Sequence, residues 1–329
     1  MLYDARGNRY VVCSPELLRS LGIGIAENAA QASRERATWA IAAIAALCHW
    51  PAGAQPAGAK AHRSDGLLVG PFQDRAPFDL LIVNTDGTLA ERSGNGLTIF
   101  AQSLADQGRL KGEHGFTLRV HHDKTDAVSP VPVSVEPGVV DGVQGFWLDL
   151  GAPAFGPAAV GAEGVEASRF NGRDTWRVPG LAAMDSHWKH SVFVRIGNPH
   201  CVTWLDRPEA LPSMAQLRSS ALGEPLTAIA YAQGDQGHGL PCVAGINLQW
   251  AASLGPQQLA ARVFERGEGP TESSGTSATA VACAAWQVGL VQAGAVSVQM
   301  PGGTAPLHLV EQQGRLTGVR LFGTARLAS

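Results

Sequence analysis

Short apolar runs, each closed by Gly, Pro, Asn or Asp, recur along the whole chain. Such runs predict strands at 10–13, 67–69, 79–83, 116–120, 131–135 and 146–150. A break at Gly151-Ala152-Pro153 follows, and the pattern resumes at 191–196, 201–206, 243–250, 259–264, 296–300, 307–311 and 319–322. Asp86-Gly87 supplies a hairpin-like turn after the strand 79–83. Three stretches carry helical spacing instead. Residues 26–50 form an Ala-rich segment with one apolar face, and the other two follow Ser93-Gly94 and Ser274-Gly275. The Pro/Ala/Gly segment 51–61 reads as an inserted loop, and 207–239 as mixed loop and helix.

The two Ser-Gly helices share a local design. Glu91-Arg92-Ser93-Gly94-Asn95-Gly96 leads into the run from Leu97, and Glu272-Ser273-Ser274-Gly275-Thr276-Ser277 leads into the run Ala278 to Trp286. The two serines lie 181 residues apart, one in each half of the chain. Small polar residues at a helix start leave backbone N–H groups free and present the positive end of the helix dipole. That combination holds a carboxylate or phosphate. Seen singly, each copy is also an ordinary N-capped helix. Their repetition points to two similar halves serving one site.

Composition narrows the class. Apolar residues make up 45% and charged residues 16% of 329 positions, enough for large cores in two domains. A net charge of −3 with no basic run argues against nucleic acid as a partner. Many turns are implied by 39 Gly and 20 Pro. The five cysteines are odd in number, irregularly spaced and without a CxxC, which reads as free thiols in a cytoplasmic protein. No signal peptide is evident, and the longest apolar run, 39–47, is too short to span a bilayer. His187 and His190 lack companion metal ligands, and neither a Walker loop nor a Rossmann fingerprint occurs, so no metal or cofactor is expected.

A series of motifs in one order carries a resemblance. Gly7-Asn8-Arg9-Tyr10, Ser64-Asp65-Gly66-Leu67-Leu68 and Asn84-Thr85-Asp86-Gly87-Thr88 are followed by Ser93-Gly94-Asn95-Gly96. Then come Gly197-Asn198-Pro199-His200, Glu265-Arg266-Gly267 and Ser274-Gly275-Thr276-Ser277. Taken together the chain resembles the diaminopimelate epimerase family, whose opening motif is Gly-Asn-Asp-Phe and whose catalytic motifs are Cys-Gly-Asn-Gly and Cys-Gly-Thr-Gly. The resemblance implies an α+β fold of two pseudo-symmetric domains, each a sheet wrapped around a central helix, with the site in the cleft between them. The expected boundaries are 1–151, with 318–329 returning to it, and 152–317. It further implies an isomerase of lysine biosynthesis that works without pyridoxal phosphate on a small amino-acid substrate; a homodimer is compatible with it.

By that resemblance Ser93 and Ser274 occupy the catalytic positions. Asn8, Asn84, Asn198, Asn247, Glu265 and Arg266 fall on substrate-binding positions, and Gly94, Asn95, Gly275 and Thr276 would hold the α-carboxylate with backbone N–H groups. The departure is chemical. A thiol with an ordinary pKa of ~8.5 becomes a working thiolate at a helix N-terminus. A serine hydroxyl needs a neighbour to take its proton. The serines therefore fit weak acid/base residues activated by a neighbour, hydrogen-bond donors in a site that binds without turnover, or replacements for cysteine. Glu91 and Glu272 are candidate activators, or simply charges favoured at a helix start. A same-fold racemase or dehydratase acting on another amino acid is the alternative activity. His200 reads as a proton relay or a structural histidine, and Cys201 as a buried thiol.

Overall fold

The computed structural model describes residues 1–57, 59–110, 114–124 and 128–328. Gly58 of the expected inserted loop and Ser329 of the expected returning segment lie outside them. Two compact units are present: Met1–Asp149 with Phe322–Ser329, and Leu150–Leu321.

In the first unit Leu2–Ala5 turns back antiparallel onto Asn8–Cys13 through Arg6 and Gly7, both at positive φ. Asn8–Cys13 runs parallel to Gly66–Val69, which lies antiparallel to Phe78–Asn84. Phe78–Asn84 in turn runs parallel to Phe116–His121, and Val131–Val140 and Val143–Asp149 extend the sheet antiparallel. The terminal strand Arg326–Leu327 pairs with Tyr3 and Asp4.

Each parallel step needs a crossover, and the two crossovers cover opposite faces of the sheet. The helices Pro15–Ser20, Ala29–Arg34 and Arg36–Cys48 pack Leu18, Trp39, Ala43 and Ile44 against Val11, Leu67, Leu81 and Val83. Residues of opposite parity, including Tyr10 and Leu68, face the other crossover, the helix Gly94–Asp106. That helix is buried along nearly its whole length, from Gly94 to Leu104 except Gln102. A helix buried on nearly every side requires such an enclosing sheet.

The second unit repeats this order. Ser191–Ile196 is antiparallel to Asn198–Trp204, which is parallel to Asn247–Gly255. Gln258–Glu265 follows antiparallel, then Gly294–Met300 parallel, then Gly303–Gln312 and Arg315–Gly323 antiparallel. The helix Gly275–Gln287 takes the central position, with every residue from Gly275 to Ala285 buried. Its Ala, Thr, Ser and Cys side chains are small enough for strands to close around it. Outside, Leu181, Leu217, Leu226 and Ile229 pack on Phe193, Leu248, Trp250 and Phe264.

Three expectations change in detail. The helix expected over 26–50 is two helices, broken at Glu35. Thr38 captures the Glu35 carbonyl with both its N–H (2.9 Å) and its hydroxyl (2.8 Å), which starts a new helix. The strand expected from 243 begins at Asn247, because Cys242–Gly245 close a turn with Gly245 at positive φ. The strand expected over 201–206 begins earlier, at Asn198, and ends at Trp204. Among the described residues, no helix is long and apolar enough to cross a membrane.

Candidate active site

The two serines are built alike. Ser93 caps its helix at φ −144°, ψ 116°, and its Oγ accepts the Gly96 N–H at 3.1 Å. Ser274 caps its own at φ −147°, ψ 117°, and its Oγ accepts the Ser277 N–H at 3.3 Å. In both places an extended cap residue folds its hydroxyl back over the first turn. The next two N–H groups, of Gly94 and Asn95 or of Gly275 and Thr276, belong to the positions that have no partner within a helix. Their orientation suits an anion. Space at Gly96 is tight: a Cβ there would stand 3.1 Å from both Cβ and Oγ of Ser93.

In the first unit Tyr10 stands beside the cap. Its hydroxyl lies 3.3 Å from Ser93 Oγ. Asn8 opens the same strand, directly after Gly7. Asn84 ends its strand and donates from Nδ2 to Thr88 Oγ1 at 2.9 Å, so it braces the turn 84–88. Arg92 is half-buried near Asp149 and Glu91; desolvation lowers its pKa and the two carboxylates oppose that. Glu91 pairs with Lys124 at 2.9 Å, so this carboxylate is engaged by a cation rather than by Ser93.

In the second unit Asn247 is buried and its Oδ1 accepts the Arg266 N–H at 2.9 Å, which fixes the start of the Glu265-Arg266 turn. The Arg266 guanidinium donates to the Ala244 carbonyl at 2.8 Å. Asn198 follows Gly197, at positive φ, as Asn8 follows Gly7. Glu272 pairs with Arg218 at 3.0 Å on the exposed surface.

His200 is fully buried two residues beyond Asn198. Burial, with the Arg266 charge adding to it, pushes the imidazole down to about 3, so it is neutral at physiological pH. Gln249 Nε2 lies 3.1 Å from His200 Nδ1 and donates to Ser277 Oγ at 3.1 Å. A buried chain Ser277–Gln249–His200 therefore runs behind the Ser274 cap. Ser277 at the family's glycine position is thus matched by a polar partner. Gln249 was not singled out from sequence, although a Gln two residues after Asn247 in an apolar strand signals a buried hydrogen bond. The Tyr10 hydroxyl was also missed; its signal is Tyr where the quoted motif ends in Phe.

Cys201 lies inside its strand, fully buried against the outer core, and burial pushes its thiol up to about 12. It is no substitute for a catalytic thiol. All five cysteines are free and buried. A cavity of about 320 Å³ among Met184, Trp188, Leu211 and Leu222 is lined by none of the candidate residues.

A diaminopimelate epimerase from a Synechococcus strain is 31% identical over 246 residues, 74% of this chain and 75% of that protein. The chain belongs to the diaminopimelate epimerase family. The family model for diaminopimelate epimerase matches residues 192–327. Diaminopimelate epimerase 2 from a Nostoc strain is 28% identical over 73% of this chain and 72% of its own length. A solved hydroxyproline epimerase from Agrobacterium vitis shares the fold with a TM-score of 0.58 and 12% identity, over 100% of this chain and 90% of that one. The protein is accordingly an isomerase of the epimerase and racemase class, with the α+β fold of that family.

Proposed function

We propose that this protein interconverts LL- and meso-diaminopimelate by two-base proton transfer at the α-carbon, without pyridoxal phosphate. Ser93 exchanges a proton with one face of that carbon and Ser274 with the other. The observation that carries the reading is the matched pair of serine-capped, buried helices, one in each repeat. Backbone N–H groups of Gly94, Asn95, Gly275 and Thr276 hold the α-carboxylate and offset the negative charge that builds as the proton leaves. Asn8, Asn84, Asn198, Asn247, Glu265 and Arg266 orient the rest of the substrate. Five free, buried thiols suit a reducing, cytoplasmic setting for this step of lysine biosynthesis.

A second reading, binding without turnover, is favoured by Glu91, whose ion pair withholds it from Ser93. NMR of α-proton exchange in deuterated water, with LL-diaminopimelate and a panel of amino acids, separates the two. Exchange with inversion is expected. Exchange without inversion would assign a one-base reaction, and saturable ligand shifts without exchange would assign the binding role.

A further inference from the structure

We propose that Tyr10 is the proton-relay partner that lets Ser93 work, and that the relay serves only the Ser93 half of the reaction. This rests on the epimerase reading above. Tyr10 is a buried residue on the strand Asn8–Cys13, and its hydroxyl lies 3.3 Å from Ser93 Oγ. Tyr3, directly across from it on the neighbouring strand, spends its own hydroxyl on Asp106 at 2.9 Å. Tyr10 is therefore the phenol placed at the cap.

Its chemistry complements serine. A phenol ionises near ~10, within reach of an enzyme site, whereas a serine hydroxyl is a weak acid/base group unless a neighbour takes or gives its proton. In the direction that delivers a proton, Ser93 donates its hydroxyl proton to the substrate carbanion and takes the Tyr10 proton in its place. The C–H and the new Ser93 O–H bonds form as the old Ser93 O–H and the Tyr10 O–H bonds break. The negative charge moves from carbon to the phenolate, and solvent restores its proton. Abstraction runs the same steps backward, with the phenolate as the final acceptor. The Gly96 N–H, already on Ser93 Oγ at 3.1 Å, steadies the oxygen during the exchange.

The other repeat differs at this point. His200 takes the position of Tyr10, third residue of the strand after a Gly-Asn start. Its Nδ1 faces Gln249 at 3.1 Å, and through that amide reaches Ser277 rather than Ser274. Tyr10 acts through Ser93 and is a positioning residue in this sense.

The test is a double-mutant cycle on the full chain: wild type, Tyr10→Phe, Ser93→Cys and the double variant. Initial α-proton exchange is followed in deuterated water with LL- and meso-diaminopimelate, beside thermal midpoints. Tyr10→Phe should slow exchange by ~100-fold in the serine protein, the scale of a lost acid/base group. With Ser93→Cys the same change should cost under ~3-fold, because a thiol near ~8.5 ionises unaided. Equal losses in both backgrounds, or no loss in either, overturn the relay while leaving the epimerase reading in place. A wild type that exchanges none of these protons overturns both.

Discussion

His200 shows how far burial, helped by a nearby guanidinium, sets a residue's charge state. An unfolded histidine takes up a proton as pH falls through its ordinary value of ~6.5, but the native imidazole does so only near about 3. Between those values the unfolded chain binds the extra proton, so stability falls as pH drops below ~6.5 and is flat above it. At pH 5 this single group costs about 2 kcal/mol relative to neutral pH. Urea unfolding at pH 7.5 and pH 5.0 should show the wild type losing about that much more than His200→Gln, since other titrating groups are common to both proteins. Parallel losses would mean that His200 is protonated in the native state. The histidine's place after Gly-Asn-Pro was legible in sequence. Its neutrality was not, because that depends on the strands and the guanidinium that surround it.

At the level of elements, the same strand and helix carry different chemistry in the two repeats. In the first, Leu68 faces Gly96: a Cβ at Gly96 would meet Leu68 Cδ2 at 3.4 Å. In the second, Gln249 and Ser277 occupy the corresponding register and exchange a hydrogen bond. Period-two alternation from Asn247 puts residue 249 on the helix-facing side, so Gln there could be read as needing a partner. Which partner it takes required knowing that Ser277 lies opposite. Gln249→Leu removes the amide and leaves the Ser277 hydroxyl and His200 Nδ1 buried without it, an expected loss of about 2–4 kcal/mol. Adding Ser277→Ala should then recover about 1 kcal/mol, although alone in the wild type it should cost a similar amount. Denaturant midpoints of the four proteins read this change of sign; additive losses would mean the amide and hydroxyl are uncoupled. The break at Glu35 belongs to this scale too. An unbroken Ala-rich pattern hid it, because the Thr38 side chain competes locally for the Glu35 carbonyl.

Across the molecule, the duplication was visible as two Glu-containing Ser-Gly helix starts and is fully expressed in strand order. Its deeper layer, Gly-Asn before Tyr10 and Gly-Asn before His200, was hard to see because so short a motif carries little weight without the sheet register. The groups around the two serines have diverged more than the scaffold: Tyr10 touches one serine, and a Ser–Gln–His chain backs the other. If each serine serves one face of the α-carbon, restoring a thiol at one of them should speed exchange from only one α-configuration. A thiol of pKa ~8.5 at a helix N-terminus is the better base by far. Ser93→Cys and Ser274→Cys should therefore accelerate opposite centres, read as initial deuterium incorporation at L- and D-configured α-carbons before products accumulate. The double variant should accelerate both by ~10-fold or more, in line with a gained acid/base pair. Two single variants that favour the same centre would place both serines on one side of the chemistry, and the two-base assignment would have to be replaced by a single proton-transfer residue with a binding partner.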